Sequence, residues 1–151
     1  MGTQEVMREF TTRIIASARA EIGSRFAHQA RSPGVAVDCV GLLAVTADRL
    51  GVPHGDIKRY PRLATPDMLS EGLADCGLLG PFLADAMKTG DVLVFRWGPL
   101  GRLGHVGILV SPSRFIHAYA AAGRVCESDL SDSWLEKVSE VWRFPELRKR
   151  S

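Results

Sequence analysis

One cysteine and two histidines carry the most chemistry in this chain. Cys39 follows Asp38, where the loop signal Ser32-Pro33-Gly34 gives way to an apolar helical pattern. Asp38 is placed to cap that helix, which puts Cys39 in its first turn. The unpaired N–H groups and the positive end of the helix dipole favour a thiolate there. A thiolate is a nucleophile and a thiol is a poor one. The rest of the chain must then supply a base, a group that orients the base, and a groove.

The second half offers the base. In Gly104-His105-Val106-Gly107-Ile108-Leu109-Val110, alternation puts Val106, Ile108 and Val110 on one strand face. His105, Gly107 and Leu109 take the other. Gly107 leaves room for another element to come close. His117 follows in Phe115-Ile116-His117-Ala118. A hairpin centred near Ser111 sets His105 opposite His117, with the rings in hydrogen-bond reach. A one-residue slip would break that register. In Cys–His chemistry, His105 takes the thiol proton and later protonates the leaving amine, while His117 holds His105. Backbone N–H groups at the helix start, around Asp38 and Cys39, would hold an oxyanion.

Periodicity outlines the elements that must position these groups. Val6, Phe10, Ile14, Ala18 and Ile22 mark an amphipathic helix from about Glu5 to Ile22, ended by Gly23. Residues 24–38 read as a loop. The Cys39 helix runs to about Leu50, with Gly51 closing it. A turn-rich stretch from Gly51 to Arg62 holds Pro53 and Pro61. Thr65-Pro66 starts a third helix that ends near Cys76-Gly77. Residues 78–87 read as a helical turn or a loop. Strands follow at Val92–Phe95, His105–Val110, Arg114–Tyr119, Arg124–Glu127 and Glu140–Phe144. Trp97–Leu103 reads as a Gly-rich loop, and Ser133–Val138 as a short helix. Helices first and strands second is the α+β order. It predicts N-terminal helices packed on a mostly antiparallel sheet of about five strands.

Bulk composition narrows the function classes. The 151 residues are 46% hydrophobic and 24% charged, which predicts one domain, 1–151, with a real core. A net charge of +2 without a basic, aromatic-laced stripe gives no nucleic-acid signal. Arg148-Lys149-Arg150 reads as a solvated tail. No apolar run approaches the ~20 residues of a membrane span. The start, Met1-Gly2-Thr3-Gln4-Glu5, lacks the layout of a signal peptide, so cytoplasmic synthesis without export is the expectation. Three cysteines without CxxC spacing predict free thiols, no zinc site and no cofactor.

Four segments, in order, resemble the NlpC-type family of bacterial cell-wall cysteine peptidases. They are Asp38-Cys39-Val40-Gly41-Leu42, Gly90-Asp91-Val92-Leu93-Val94-Phe95, His105-Val106-Gly107-Ile108 and Ile116-His117-Ala118. The resemblance covers roughly residues 10–145. It implies a papain-like fold, with nucleophile, base and third polar residue at Cys39, His105 and His117. It also implies hydrolysis of peptidoglycan stem peptides, typically between D-glutamate and the diamino acid. Arg25-Phe26-Ala27-His28-Gln29, Val40 and Val141-Trp142-Arg143-Phe144-Pro145 look like the phage branch, found in tail-assembly regions of prophages and gene transfer agents. That branch implies phage-like tail proteins as partners and a particle tail as the location. The family often has Pro-Tyr where this chain has Arg25-Phe26, and serine where it has Val40.

The remaining candidates are weaker. His28 and Trp97 are the candidate substrate contacts, His28 lining the groove and Trp97 bordering the cleft. Trp134 and Trp142 read as core or rim, His54 as surface, and Asp38 as a cap rather than an acid catalyst. Cys76 and Cys126 share no motif with a histidine and read as buried filler. The competing function classes are a tail component with a vestigial site and an amidase using the same thiol chemistry.

Overall fold

Asp38 and Gly51 bracket the helix on which the fold is built. In the computed structural model of the chain, which describes residues 2–55 and 64–146, this is α2 (Cys39–Leu50), preceded by α1 (Thr3–Arg19). Asp38 Oδ1 accepts the Gly41 N–H at 2.7 Å, and Gly51 closes the helix in the left-handed region at φ 71. Nearly every α2 side chain is buried, with Leu42 at 0% exposure. A methyl group at Gly41 would lie 2.3 Å from the Ala30 carbonyl oxygen, so only glycine lets residues 27–31 cross the start of α2 this closely. α3 (Pro66–Asp75) begins as its sequence indicates, with Thr65 Oγ1 accepting the Met68 N–H at 3.2 Å.

α1 keeps its apolar stripe but stops at Arg19, short of the Ile22 expected from periodicity. Ile22 is 46% exposed, and Glu21 turns inward instead at 0%. A buried carboxylate is tolerated only when paired and hydrogen-bonded. Glu21 accepts the Gly34 N–H at 2.9 Å and the Ser24 hydroxyl at 3.3 Å, and it pairs with Arg49 at 2.6 Å. These contacts tie the end of α1, the loop at Gly34 and the last turn of α2 together.

The sheet has nine strands among the described residues, not about five. The five expected strands are present as β5 (Val92–Trp97), β6 (Leu103–Ser111), β7 (Arg114–Tyr119), β8 (Arg124–Asp129) and β9 (Val138–Arg143). The additions are β1 (Arg25–Phe26), β2 (Arg31–Ser32), β3 (Ala36–Val37) and β4 (Leu79–Phe82). Two-residue strands are too short to carry a period-2 pattern, and β4 is interrupted by Gly80-Pro81. The order is β2-β3-β1-β8-β7-β6-β5-β9-β4, antiparallel except for the β1–β3 pair. α4 (Asp132–Leu135) is a short helix between β8 and β9. The described part of the turn-rich stretch ends at residue 55, and Arg148-Lys149-Arg150 lies outside the described residues.

Both faces of the central strands are covered, which is why they read as apolar runs. Val92, Val94, Val106, Ile108, Ile116 and Ala118 join the core shared with α1 and α2. Leu93, Phe95, Leu109 and Phe115 form a second core, against which Phe82, Met87 and Trp134 pack. Asp91, at the entry to β5, pairs with Arg143 at 3.0 Å and accepts the Lys88 N–H at 2.8 Å. Burial raises its carboxyl above the ordinary range despite that arginine.

Candidate active site

The site forms where β6 and β7 part. Ile108 pairs with Ile116 and Leu109 with Phe115. Beyond that point β6 runs on to Leu103 and β7 to Tyr119 with no further pairing between them among the described residues. The Leu109 N–H donates to Asp91 on the β5 side. Alternation therefore turns the N–H groups of Val106 and Gly104 toward the β7 side. Gly104 donates there to Ala64 O at 2.8 Å, and Val106 donates to the Cys39 sulfur. Cys39, the first residue of α2, thus reaches into the gap and touches the strand one residue past His105.

The backbone N–H groups of Val40 and of Cys39 itself, at the helix start, also lie near the sulfur and pull its pKa down. These hydrogen bonds favour a thiolate, as the helix-start position predicts, yet they do not prevail. Burial, and then the neighbouring Asp38 carboxylate, push the Cys39 thiol up to about 12. Asp38 accepts the Gln29 N–H at 2.7 Å and pairs with Arg31 Nη1 at 3.0 Å. It serves as the helix cap and sets the local charge.

His105 and His117 meet, though not as direct partners. The observed register lies two residues from the expected one, so continuing it places His117 opposite Gly107. An even shift keeps both histidines on one face, and diagonal neighbours there are within reach of aromatic side chains. His105 Nε2 lies 2.8 Å from His117 Nδ1, and His117 Nε2 lies 2.9 Å from Ser128 Oγ. A methyl at Gly107 would stand 2.9 Å from Phe115 Cδ2 and 3.4 Å from His117 Cβ, so the missing side chain makes the space for this contact.

Aromatic rings enclose the pair. Trp97 and Trp134 stack with centroids 5.1 Å apart and planes 10° apart, and the His105 ring lies 5.9 Å and 6.0 Å from them. His117 stacks on Tyr119 at 4.9 Å and contacts Phe115 at 4.4 Å. Exposure is 8% for His105 and 0% for His117. Loss of water lowers His105 to about 3, with a further contribution from His117, and lowers His117 to about 4. Both rings and the thiol are neutral at pH 7. The arrangement suits proton transfer during attack, not a resting thiolate–imidazolium pair.

Other candidates fall in different places. Trp97 ends β5 instead of sitting in a loop, and it adjoins His105. His28 lies in the turn between β1 and β2, next to Gln29, whose N–H binds Asp38. Phe26 packs on the helix-side core, and Val40 is buried within it. His54 is not a surface residue: it is half-buried, with Nε2 2.7 Å from Asp48 Oδ1. Cys126 is directly opposite His117 on β8, its sulfur 3.9 Å from Ser128 Oγ. Ser128, Tyr119 and Trp134 were not marked by any sequence motif. Ser128 and Tyr119 could have been found by extending alternation from His117 along β7 and across to β8.

Two described clefts lie away from this chemistry. One, with a volume of only about 20 Å³, is lined by Val40, Ala44, His54, Leu73 and Cys76. Another of about 230 Å³ lies between α1 and Arg143 and opens to solvent. Among the described residues, no group of three or more His, Cys, Asp or Glu side chains is placed to hold a metal. No described helix is long and apolar enough to cross a membrane.

Comparison with known proteins places this geometry in a family. The profile of the NlpC/P60 family matches residues 23–143. Over 57 residues, 38% of this chain, it is 35% identical to the murein DD-endopeptidase MepS/murein LD-carboxypeptidase of Escherichia coli (strain K12). The matched segment spans 29% of that relative's length. NlpC2 from Trichomonas vaginalis matches with a TM-score of 0.66 at 22% identity, over 89% of this chain and 46% of that one. The peptidoglycan hydrolase RipB from Mycobacterium tuberculosis gives 0.62 at 20%, over 97% and 70%. The NlpC/p60 domain of the peptidoglycan hydrolase SagA gives 0.58 at 24%, over 87% and 96%. Likeness at these identities concerns the fold, which is the papain-like α+β fold expected from the sequence. The profile match takes in Cys39, His105 and His117 together with the strands that hold them, and the chain belongs to the NlpC/P60 family.

Proposed function

We propose that this protein is a cysteine peptidase that hydrolyses peptidoglycan stem peptides between D-glutamate and the diamino acid, working from a phage-like tail. One observation carries the enzymatic reading. The Cys39 sulfur is bound by the backbone N–H next to His105, and His105 Nε2 is held by His117 at 2.8 Å. This leaves His105 Nδ1 as the nitrogen for the thiol proton, so the network has one consistent polarity. His105 Nε2–H donates to His117 Nδ1, and His117 Nε2–H donates to Ser128 Oγ.

In this mechanism His105 Nδ1 takes the Cys39 proton as the sulfur attacks the scissile carbonyl carbon. The C–S bond forms, and the oxyanion is stabilised by N–H groups at the start of α2. The tetrahedral species collapses, the C–N bond breaks, and His105 returns the proton to the leaving amine. Water then attacks the thioester with His105 as base, releasing the new carboxylate and restoring the thiol. His117 fixes the His105 tautomer and shares the charge of the transient imidazolium.

Peptidoglycan as substrate is supported by the family and by the Escherichia coli relative, a murein DD-endopeptidase/LD-carboxypeptidase. The tail setting is supported by the resemblance of Arg25–Gln29, Val40 and Val141–Pro145 to the phage branch. In that setting the protein is made in the cytoplasm and built into the particle with tail proteins. The test compares wild type with Cys39→Ala on purified cell walls, with fragments identified by mass. The expected product is a shortened stem peptide with a new amino terminus on the diamino acid. Fragments cut at a D,D bond would overturn the bond assignment. Identical release by Cys39→Ala would overturn the mechanism. Failure of both proteins, with transfer-competent particles still assembled by Cys39→Ala, would replace it with the scaffold reading.

A further inference from the structure

The outer face of the histidine pair is closed by a residue that no sequence motif marks. Trp134 comes from α4, a four-residue helix capped by Ser131. Its ring contacts His105 at 6.0 Å, His117 at 5.3 Å, Phe95 and Phe115 at 5.2 Å each, and Tyr119 at 5.8 Å. Trp97 stacks on it from the end of β5. The stack is anchored twice. The Lys137 ammonium lies 5.6 Å from the Trp97 centroid and 5.4 Å from the Trp134 centroid. The Lys137 carbonyl accepts the Arg96 N–H at 2.7 Å, which ties the segment after α4 to β5.

We propose that Trp134, stacked on Trp97, is a positioning residue that seals the His105–His117–Ser128 chain from water on the face opposite α2. Tyr119 also touches both rings, at 6.0 Å and 4.9 Å, but from within β7, and Trp134 packs over it from α4 at 5.8 Å. Sealing matters because a hydrogen bond in a dry setting is stronger and holds its partner more rigidly than one in water. Water donating to His117 Nδ1 would displace the His105 Nε2–H and release the base from its tautomer. The effect on turnover rests on the peptidase reading, whereas the sealing does not.

Several groups facing the pair could also act on its charge. Tyr119, Cys126 and Ser128 face it from β7 and β8, Cys39 stands at the start of α2 with Asp38 beside it, and Lys137 lies beyond the tryptophans. No carboxylate is among the causes of either ring's low value, and Asp38 is bound to Arg31, Gly41 and Gln29. Exclusion of water is therefore the dominant cause of the low histidine values, as it is the first cause for each ring.

The test follows the histidine ring signals by NMR in the catalytically silent Cys39→Ala protein. With Trp134 present, His105 and His117 titrate below pH 5. In Cys39→Ala/Trp134→Ala both midpoints rise by about one pH unit or more toward the free value. Trp134→Phe keeps them within half that shift. If the Trp134→Ala protein does not fold, Trp97→Ala removes the outer ring of the stack, and a shift in the same direction is expected. Unchanged midpoints in folded Trp134→Ala, or in Trp97→Ala where it stands in, overturn the proposal. In the active enzyme the acid limb of kcat/KM should rise by the same amount, which a purely structural role would not produce.

Discussion

His117 binds His105 from a diagonal position, with Gly107 as the empty place between them. The two rings meet at 2.8 Å because β6 and β7 separate after Ile108 and Ile116 and because Gly107 has no side chain to block the approach. The same separation admits Cys39 to the Val106 N–H. One irregularity in a hairpin thus places all three reacting groups.

Gly107→Ala should uncouple the pair. The added methyl would meet Phe115 Cδ2 at 2.9 Å and Ile116 O at 3.1 Å, so β7 must shift. Overpacking of this kind costs about 1–3 kcal/mol. The expected result is a lowered Tm together with a loss of kcat larger than the loss of folded protein. Wild-type kcat in this variant would contradict the geometry.

The three side chains should differ in how much they matter. His105→Ala should abolish turnover, because the proton acceptor itself is gone. His117→Asn should retain part of it, since an amide can still accept the Nε2–H bond. Ser128→Ala should cost least, about tenfold or under, as the loss of one neutral hydrogen bond at the end of the chain. Single-turnover rates on a stem-peptide substrate give the ranking. A His117→Asn protein as dead as His105→Ala would reverse the assigned roles.

The neutral, half-buried thiol makes a kinetic prediction. Cys39 is pushed up to about 12, so its thiolate fraction grows steadily across the neutral range. Iodoacetamide labelling of Cys39 should accelerate about tenfold per pH unit from 7 to 9.5. Peptide mapping at each pH separates it from Cys76 and Cys126. A flat labelling rate between pH 5 and 8 would instead reveal a preformed thiolate–imidazolium pair.

Acid should destabilise the fold through the same histidines. Their folded-state values are lowered to about 3 and about 4, while an unfolded histidine titrates near 6.5. The unfolded chain then binds more protons in that window, so stability is fully present above about pH 6.5 and is lost as pH falls toward 4. The slope is up to about 1.4 kcal/mol per pH unit for each ring. Urea unfolding at pH 7 and pH 4.5 measures it. His105→Asn should flatten the dependence, and an equal slope in both proteins would rule out this origin.

Glu21 offers a test of the scaffold away from the chemistry. Glu21→Ala leaves the Gly34 N–H and Arg49 without their buried partner. The expected loss is about 3 kcal/mol, at the low end for a broken buried pair because Arg49 keeps some access to water. Thermal unfolding reads it directly, and a change under about 1 kcal/mol would mean that water replaces the carboxylate.

The sequence by itself determined the local structure. Asp38 as a cap, Gly51 as a stop, Thr65-Pro66 as a start and the five strands from β5 to β9 follow from hydrogen-bonding groups and periodicity within a few residues. It also determined which residue types could react, since Cys39, His105 and His117 lie at a helix start and on a shared strand face. Tertiary structure decided the rest. Strand register depends on what packs on each face, so an even shift that preserves the faces was invisible to alternation alone. The two-residue strands exist only because β8 and the Cys39 helix hold them. The protonation states depend on how much water the fold removes: the dipole at the start of α2 favours a thiolate locally, and burial outweighs it. Trp134 and Ser128 lie 29 and 23 residues from His105 along the chain, and only folding brings them to it.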